Sequence, residues 1–493
     1  YVVHLQAGDE LAVDALMQVA LSNVGVTFSD FIYGDERRES PVLGRVLPFL
    51  KPGWSPELLL STNYIGRFWL ATPALLAGAF SSMAEFAQAS DYERVLRLTE
   101  RAKGIRRVPK VLSERHAKQQ EDKKLELDAL RGAALRRGIA ATIEESPVEG
   151  TYRLHRKLLK PGKVSIIIPS IAARGLIRTC IESIRKSSHG SYEIILIDNI
   201  KDAGSEWKPW FRRHADKVIE VLEDFNWSLF NNIGAEHATG DYLLFLNDDI
   251  EVLDPHWMET LMEIAQSEDV GVVGPYLLYP DRTVQHAGLF LSGPGTARHA
   301  FRFAKEDEPG YFGFALTQRD MIGVTGACMM MRREVFDALG GFDPAHSVIN
   351  NDLDFCLRCN DVGLSAVYTP YTRLIHHELV SREKLPDHYD TESFAQTWAE
   401  VFSRGDPFFH PGLSRCDDYY SMDTEYLREV YAGFPIAHKA DLRRIVAFKL
   451  DHIGDFITAL PAIRRLKERF PTAMLAVVVV PAVAALARTE PVI

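Results

Sequence analysis

The chain has 493 residues, which at about 150 residues per domain suggests about three domains. Hydrophobic residues make up 46% and charged residues 25%, a composition that excludes wholesale disorder. The net charge of −11 argues against a nucleic-acid binder, and five cysteines are too few for a disulfide framework, which favours a reducing compartment. We find no apolar run typical of a membrane span and no signal peptide.

The first block, residues 1 to about 117, has a mixed composition with turn-rich segments such as Lys51–Pro56. Residues 118–145 are helix formers with a partial apolar stripe, which predicts a linking helix. The chain begins with Tyr1 and ends in an apolar stretch at Ile493, so we expect a fragment of a longer protein.

The second block, from about Lys163, alternates short apolar runs with helix-like segments. The predicted strands are Val164–Pro169, Glu193–Asp198 and Asp241–Asp248, and the predicted helices are Arg174–Lys186 and Leu229–His237. This alternation predicts a parallel sheet covered on both faces. Ligands of such sheets bind beyond the carboxyl ends of the strands, which directs attention to the residues that follow each apolar run.

Two adjacent carboxylates, Asp248 and Asp249, follow the third apolar run. Burying two like charges is costly without a cation, and hard oxygen ligands at a strand end suit Mg²⁺ or Mn²⁺ together with phosphate oxygens. Asp254, directly before Pro255, is explained instead as the N-terminal cap of the following helix.

Three further motifs are ambiguous by spacing alone. Asp352 is expected in the first turn of a helix, either as a general base or as an acid that stabilises the helix dipole. His376 and His377 could ligate a metal or could be structural. Cys356 and Cys359 form a C-x-x-C within a helix-like segment without a second pair, so we expect packing cysteines.

The third block starts near Asp441. Its pattern predicts a strand at Arg444–Leu450, a Gly-containing turn, a helix at Phe456–Phe470 and a strand at Met474–Val480. This order predicts one β-α-β unit.

In combination these segments resemble the family-2 glycosyltransferases, and in particular the tandem, rhamnosyltransferase-like enzymes of bacterial O-antigen synthesis. The segments are KVSIIIPS, EIILIDN, NWSLFNNIGAEHATGDYLLFLNDDIEV, VTGACMMMRREVFDALGGFDP and NNDLDFCLRCNDVGLSAVYTP, followed by IHHELVSR. They run from about Lys163 to Arg382 in the order that is usual for the family. The resemblance implies a GT-A fold, a Rossmann-like α/β domain that binds a nucleotide-diphosphate sugar.

The resemblance also implies roles for individual residues. Asp352 matches the catalytic base, and Asp249 and His376, with His377 as the alternate, match the ligands of a Mg²⁺ or Mn²⁺ ion. Residues that fall where the family binds the nucleotide-sugar are Pro169, Asp198, Asn226, Asn232, Asp248, Thr325 and Gly326. One departure is Asp198-Asn199-Ile200-Lys201, where the family often has Asp-Asn-Gly-Ser.

The implied activity is inverting transfer of a sugar to a glycan or lipid-linked acceptor, in the cytoplasm and with possible peripheral contact with the inner membrane. One alternative is a silent module that binds glycans or scaffolds other transferases. Another is a nucleotidyltransferase, but Ser170–Leu176 has one glycine and no lysine for a phosphate loop. The presence of both acidic motifs and the late histidine favours the transferase.

An internal repeat supports this interpretation. Leu5–Leu21 echoes Leu246–Met262, with two acids five positions apart in each segment (Asp9 and Asp14, Asp249 and Asp254), and Asp91 echoes Asp352 with an arginine six positions later in both. Residues 1–117 therefore resemble the back half of a first GT-A module. Gln6 stands near an expected acid, which makes the activity of this copy doubtful.

Residues 441–493 resemble the opening of the family-9, heptosyltransferase-like GT-B enzymes, with Asp455 at the position of their candidate base. The expected organisation has five parts. These are a truncated first module (1–117), a helical linker (118–160), a complete GT-A domain (161–400), a connecting segment (401–440) and the GT-B fragment (441–493).

Overall fold

The computed structural model describes residues 1–23, 28–115, 122–378, 388–423 and 443–492. The chain forms two compact units, Tyr1–Val430 and Tyr431–Ile493. The first unit contains an N-terminal sheet and a larger central sheet.

The N-terminal sheet has six strands in residues 1–115. Its strands are β1 (Val2–His4), β2 (Glu10–Leu11), β3 (Phe31–Glu39), β4 (Val46–Phe49), β5 (Trp69–Ala71) and β6 (Ile105–Glu114). Its helices are α1 (Ala15–Ser22), α2 (Pro56–Ser61), α3 (Pro73–Ala79), α4 (Met83–Gln88) and α5 (Asp91–Thr99). The strand order is β1-β5-β3-β6-β2, with β4 paired to β3.

The segment between the two sheets differs from the predicted linker. Helix α6 covers Lys123–Arg136, and β7 (Ala141–Glu145) pairs with β8 (Tyr152–Arg156). The helix predicted to extend to residue 145 is therefore wrong at its C-terminal end. Gly138 adopts a φ of +69°, which favours glycine and ends the helix before the strand begins.

The central sheet orders its main strands as β11-β10-β9-β12-β19-β14-β20-β13. The strands of the central region are β9 (Val164–Ser170), β10 (Tyr192–Asp198), β11 (Lys217–Glu220), β12 (Tyr242–Leu246), β13 (Ile250–Val252), β14 (Val270–Leu278), β15 (Val284–His286), β16 (Leu289–Gly293), β17 (Thr296–His299), β18 (Arg319–Met321), β19 (Cys328–Arg332) and β20 (Ser365–His376). Its helices are α7 (Leu176–Ile184), α8 (Trp207–His214), α9 (Trp227–His237), α10 (Trp257–Ala265), α11 (Arg333–Ala338), α12 (Asn351–Asp361), α13 (His388–Thr397) and α14 (Ala399–Arg404).

Strand β9 shows how both faces of the central sheet are covered. Ile166 and Ile168 share a buried cluster with residues of α7, α8 and α10. Ile167 points to the other face, where Gly234 of α9 lies so close that an added Cβ would be 2.3 Å from the Ile167 side chain. The unbroken apolar run follows from this burial on both faces, as predicted.

The two sheets share one strand-pairing pattern. In the N-terminal sheet, β5 is antiparallel to β1 and β3, while β6 is parallel to β3 and antiparallel to β2. In the central sheet, β19 is antiparallel to β12 and β14, while β20 is parallel to β14 and antiparallel to β13. The repeat seen in the sequence is thus also a repeat of topology, and the module boundaries drawn from it stay a prediction.

Buried polar contacts join the N-terminal repeat to the central domain. Asp320 of β18 accepts hydrogen bonds from the Ser55 hydroxyl at 2.5 Å and from the Glu57 backbone N–H at 3.0 Å. Glu57 in turn forms an ion pair with Arg156 at 2.5 Å. These side chains are buried, so separating the two parts would leave charges without partners.

Asp320 makes the stability of this unit depend on pH. Burial, with the Glu57 charge, raises the pKa of Asp320 to about 7. Folding therefore favours the protonated acid. The contribution of protonated Asp320 to the free energy of unfolding is fully present below the ordinary pKa of an aspartic acid and is lost as the pH rises through about 7. We expect the urea midpoint to fall between pH 5 and 8 more steeply in the wild type than in Asp320→Asn, which cannot ionise.

The matched control for this prediction is Asp361→Asn, because Asp361 is an exposed acid at the end of α12. It should keep the wild-type pH profile. A profile of Asp320→Asn that runs parallel to the wild type would show that Asp320 is ionised in the folded protein across this range.

The predicted connecting segment packs on the central domain within its described part, 401–423. The carboxylate of Asp406 accepts from the Leu291 N–H at 3.0 Å, and Asp418 pairs with Arg298 at 2.6 Å.

The second unit has the predicted β-α-β order. Strands Arg444–Lys449 and Met474–Val479 are parallel, and helix Ile453–Arg469 connects them before a last helix, Pro481–Ala487. Its core consists of Phe456, Ile463, Leu475, Val483 and Ala487.

Candidate functional site

The carboxyl ends of β9, β10 and β12 open on a cavity of about 790 Å³. Its walls include Pro169, Ser170, Asn199, Trp227, Asp248 and Asp249. This is the edge of the sheet at which the sequence places the ligand. The volume is within the range of small-molecule sites, and we call this space the donor cavity.

Asp248 lies at the base of the donor cavity and accepts a hydrogen bond from the Ser170 hydroxyl at 2.5 Å. Burial and the neighbouring Asp249 charge raise the pKa of Asp248 to about 6. A cation bound nearby would favour the ionised form of this carboxyl group.

Asp249 and His376 meet although they are 127 positions apart in the chain. The Asp249 Oδ1 atom lies 3.1 Å from His376 Nε2, because β13 and β20 are antiparallel neighbours that bring Ile250 opposite His376. Burial would raise the pKa of Asp249, but the hydrogen bond and charge of His376 outweigh it and lower that pKa.

This pair fits a divalent cation. Two ligands at adjacent corners of an octahedral ion with bonds of about 2.1 Å are about 3 Å apart. Among the described residues, the His376 Nδ1 atom is also buried without a hydrogen-bond partner. Within the described ranges, no three acidic, histidine or cysteine side chains converge on a metal position, so a cation held by this pair would take its remaining ligands from water or a bound molecule.

His377, the predicted alternate ligand, is directed elsewhere. Its Nε2 atom is 2.9 Å from Glu251 Oε2, and its backbone N–H donates to the Asp249 carbonyl. Successive residues at the end of a strand point to opposite sides, so only one of the two histidines reaches Asp249.

The predicted nucleotide ligand Asp198 is engaged inside the fold. It is 2% exposed, and its carboxylate accepts from the Ile200 N–H and pairs with Lys208 at 3.0 Å. The cavity wall beyond β10 is formed instead by the residues that follow it, Asn199–Asp202.

Two predicted ligands have structural roles. Asn226 is the N-cap of α9: its side-chain oxygen accepts from the Leu229 N–H, and its amide donates to the Pro344 carbonyl. The Asn232 amide exchanges two hydrogen bonds with the backbone of Phe342. A family motif shows which residues this chain has in common with the family. It does not show which of those residues bind a ligand and which hold the loops that form the cavity.

A second, smaller cavity of about 250 Å³ adjoins the first and shares Trp227 and Asn247 with it. Asp352 and His376 lie on its wall, whereas Asp249 lies on the donor cavity. The Asp249–His376 pair therefore marks the boundary between the two spaces. We call the second space the acceptor cavity.

Asp352 is held firmly in the acceptor cavity. It lies in the first turn of α12, and its Oδ2 atom accepts from the Gly326 N–H at 2.8 Å. An added Cβ at Gly326 would be 2.9 Å from the Trp227 ring. Only glycine therefore lets the backbone at this position lie so close to Trp227. This geometry is compatible with both interpretations of Asp352. It lies in a first helical turn, as an acid that stabilises the helix dipole would, and it faces a cavity, as a general base would.

Thr325 connects this site to a pair of histidines that the sequence analysis missed. The Thr325 N–H donates to His286 Nε2 at 3.4 Å, and His286 Nδ1 lies 2.9 Å from His299 Nδ1. Burial and the His299 ring hold the pKa of His286 well below its usual value, so His286 is neutral and its proton lies on Nδ1. His299 therefore accepts at Nδ1.

His299 shares the acceptor cavity with Gln285 and Glu378, whose side chains are hydrogen-bonded at 2.8 Å. These residues come from β15, β17 and the end of β20, and no local motif relates them. These three residues come together only because the hairpin β16–β17 packs near α12, so the sequence alone could not identify them.

Two predicted features remain, the cysteine motif of the central domain and Asp455 of the second unit. Cys356 and Cys359 are buried and free, as expected for packing cysteines. Asp455 is exposed in the first turn of a helix in the second unit, and its predicted role is untested.

Residues 161–403 match the family model described as glycosyltransferase like family 2. The O-antigen biosynthesis protein RfbC of Myxococcus xanthus is 33% identical over 431 residues, which cover 84% of this chain and 34% of that protein. The N-acetylglucosaminyl-diphospho-decaprenol L-rhamnosyltransferase of Mycobacterium tuberculosis (strain CDC 1551 / Oshkosh) is 26% identical over 161 residues, 30% of this chain and 50% of that protein. The match thus spans between about a third and a half of these relatives.

A solved structure of GalNAc-T7 with UDP, GalNAc and Mn²⁺ aligns with a TM-score of 0.41 and 16% identity, over 52% of this chain and 51% of that one. This likeness is too distant to inform the site. The α/β class and the GT-A fold predicted for the central domain are confirmed, whereas a family-9 domain after residue 441 stays a prediction. In the part of the chain that the structure describes, no helix is both long and apolar enough to cross a membrane.

Proposed function

We propose that this chain, whose residues 161–403 are a glycosyltransferase like family 2 domain, moves a sugar from a nucleotide-diphosphate donor to a glycan or lipid-linked acceptor with inversion. The observation that carries the proposal is the pair of adjoining cavities. Asp249 lines the donor cavity, Asp352 lines the acceptor cavity, and His376 reaches Asp249 at their boundary.

The proposed chemistry is a single displacement. The acceptor hydroxyl loses its proton to the Asp352 carboxylate while its oxygen attacks the anomeric carbon of the donor sugar. The bond from that carbon to the diphosphate oxygen breaks, and the electron pair leaves with the diphosphate. A Mg²⁺ or Mn²⁺ ion bound by Asp249 and His376 would neutralise charge on the leaving diphosphate.

The names of the relatives suggest the biological setting. One relative is an O-antigen biosynthesis protein and another transfers rhamnose to a diphospho-decaprenol lipid. We therefore propose bacterial surface polysaccharide as the product class. A lipid-linked acceptor would place the reaction at the cytoplasmic face of the inner membrane.

Calorimetric titration of the whole chain with UDP, dTDP and GDP, each with Mn²⁺ and then with a chelator, tests the donor site. The whole chain is required because residues 1–115 bury polar groups of the central domain. We expect tight binding of one nucleotide that is lost on chelation. Folded protein that binds none of them would favour the alternative, a silent module that binds glycans or scaffolds other transferases.

A further inference from the structure

The strand registers give a position-by-position comparison of the N-terminal repeat with the central site. His4 pairs with Trp69 as Phe245 pairs with Met329. Glu10 pairs with Glu114 as Glu251 pairs with Ile375. From His4 to Glu10 and from Phe245 to Glu251 the chain advances by the same number of residues, so the two loops correspond without a gap.

This register matches Leu5 to Leu246, as the two sequence segments do, and it shifts the acids Asp9 and Asp14 by one position from Asp249 and Asp254. Asp9 corresponds to Ile250, not to Asp249, and the positions of Asp248 and Asp249 are taken by Ala7 and Gly8. The residue after Glu114 is Arg115, which stands where the central site has His376. The N-terminal repeat therefore has no counterpart of Asp249 and His376, the pair that the central site offers a cation, and none of Asp248.

The N-terminal repeat nevertheless retains a carboxylate at the position of Asp352, the candidate base of the central domain. Asp91 opens α5 as Asp352 lies in the first turn of α12, and an arginine follows six positions later in both helices. Arg67 comes directly after Gly66, at the position of Ala327 after Gly326.

Arg67 occupies the interior of this second copy. Its Nε atom lies 3.0 Å from Asp91 Oδ2 and its Nη1 atom 3.8 Å from Asp9 Oδ1, with 3% of the arginine side chain exposed. Gln6 Nε2 donates to the same Asp91 oxygen at 2.7 Å, and Arg94 donates to the other at 2.8 Å. Both oxygens of Asp91 are thus engaged by neighbouring side chains.

Helix α6 lies beside this copy. A cavity of about 290 Å³ next to Arg67 and Asp91 is bounded on its other side by Asp122, Leu125 and Glu126. In the central domain, the corresponding space beside Asp352 adjoins the donor cavity instead.

We infer that the N-terminal repeat is a second copy of the site in which the Arg67 guanidinium supplies the positive charge that the central site takes from a cation. This copy transfers no sugar, and it serves to support the central domain through the buried contacts of Ser55 and Glu57. The inference rests on the function proposed for the central domain.

The first test compares equivalent acids in the whole chain. Release of nucleoside diphosphate from the donor whose nucleotide binds in the calorimetric titration is measured for Asp91→Asn and Asp352→Asn. Asp91→Asn should stay within about twofold of the wild type, whereas Asp352→Asn should lose at least about 100-fold. A loss of tenfold or more in folded Asp91→Asn would overturn the inference.

Mn²⁺ counting separates failure of this inference from failure of the proposed function. We expect one bound Mn²⁺ per wild-type chain in the presence of the nucleotide and none in Asp249→Asn. A second ion that survives Asp249→Asn and disappears in Asp9→Asn would overturn the silent copy. An ion that is insensitive to Asp249→Asn and Asp9→Asn alike would count against the central metal site alone.

A double-mutant cycle tests the role of Arg67. Arg67→Met and Asp91→Asn should each raise the equilibrium constant of unfolding in urea, and the double variant should raise it about tenfold less than the product of the two single effects. The exposed pair Arg131 and Asp128 is the control, with a coupling of at most about fivefold. Independent effects of Arg67 and Asp91 would show that the guanidinium does not neutralise this acid.

Discussion

Asp352→Asn is expected to lower sugar transfer by about 10²- to 10⁴-fold while nucleotide affinity stays near that of the wild type. The asparagine oxygen can still accept from the Gly326 N–H, so the loop that holds Asp352 should keep its position. The variant loses only the capacity to take the acceptor proton. Steady-state transfer together with nucleotide titration measures both quantities.

Asp361→Asn, on the same helix and exposed, is the matched control and should transfer normally. If Asp352→Asn kept more than about a tenth of the wild-type rate, the proton would have to go to another group. Glu378 on the wall of the acceptor cavity would then be the first residue to examine.

Asp249→Asn is expected to abolish the Mn²⁺-dependent part of nucleotide binding. Loss of a residue that only supports a metal ligand commonly costs 10- to 100-fold in metal affinity, so loss of a ligand itself should cost at least about 100-fold. Because Asp249 and His376 form the proposed metal position together, His376→Phe should have the same phenotype. Calorimetry with and without chelator measures the metal-dependent contribution.

Glu251→Gln is the control, since it breaks only the contact between Glu251 and His377. It should bind nucleotide and Mn²⁺ as the wild type does. Equal losses in Glu251→Gln and Asp249→Asn would mean that the whole loop had moved, and the assignment of the metal ligands would then fail.

The N-terminal repeat lacks counterparts of Asp249 and His376, so mutations in the two copies should have different effects. Two copies of one strand pattern lie in the unit Tyr1–Val430, and in the part of it that the structure describes the central copy alone has an acid and a histidine, Asp249 and His376, within 3.1 Å of each other beside a cavity. Mutations in the N-terminal copy should therefore act on stability, and mutations in the central copy on binding and transfer.

The sequence by itself determined the fold of the central domain and predicted the edge of the sheet at which the candidate site lies. Apolar runs such as Val164–Pro169 form strands because both faces of a parallel sheet are buried, and polar residues after them must then lie at one edge. Asp248 and Asp249 follow a strand and Asp352 lies in a first helical turn, so local pattern marked them as candidates, and the family resemblance supplied their predicted roles.

Only the tertiary structure decided between residues that local pattern leaves equivalent. His376 rather than His377 meets Asp249 because β20 is antiparallel to β13, and Asp198 is held by Lys208 inside the fold. Contacts between distant segments set these outcomes, and a local motif does not encode them.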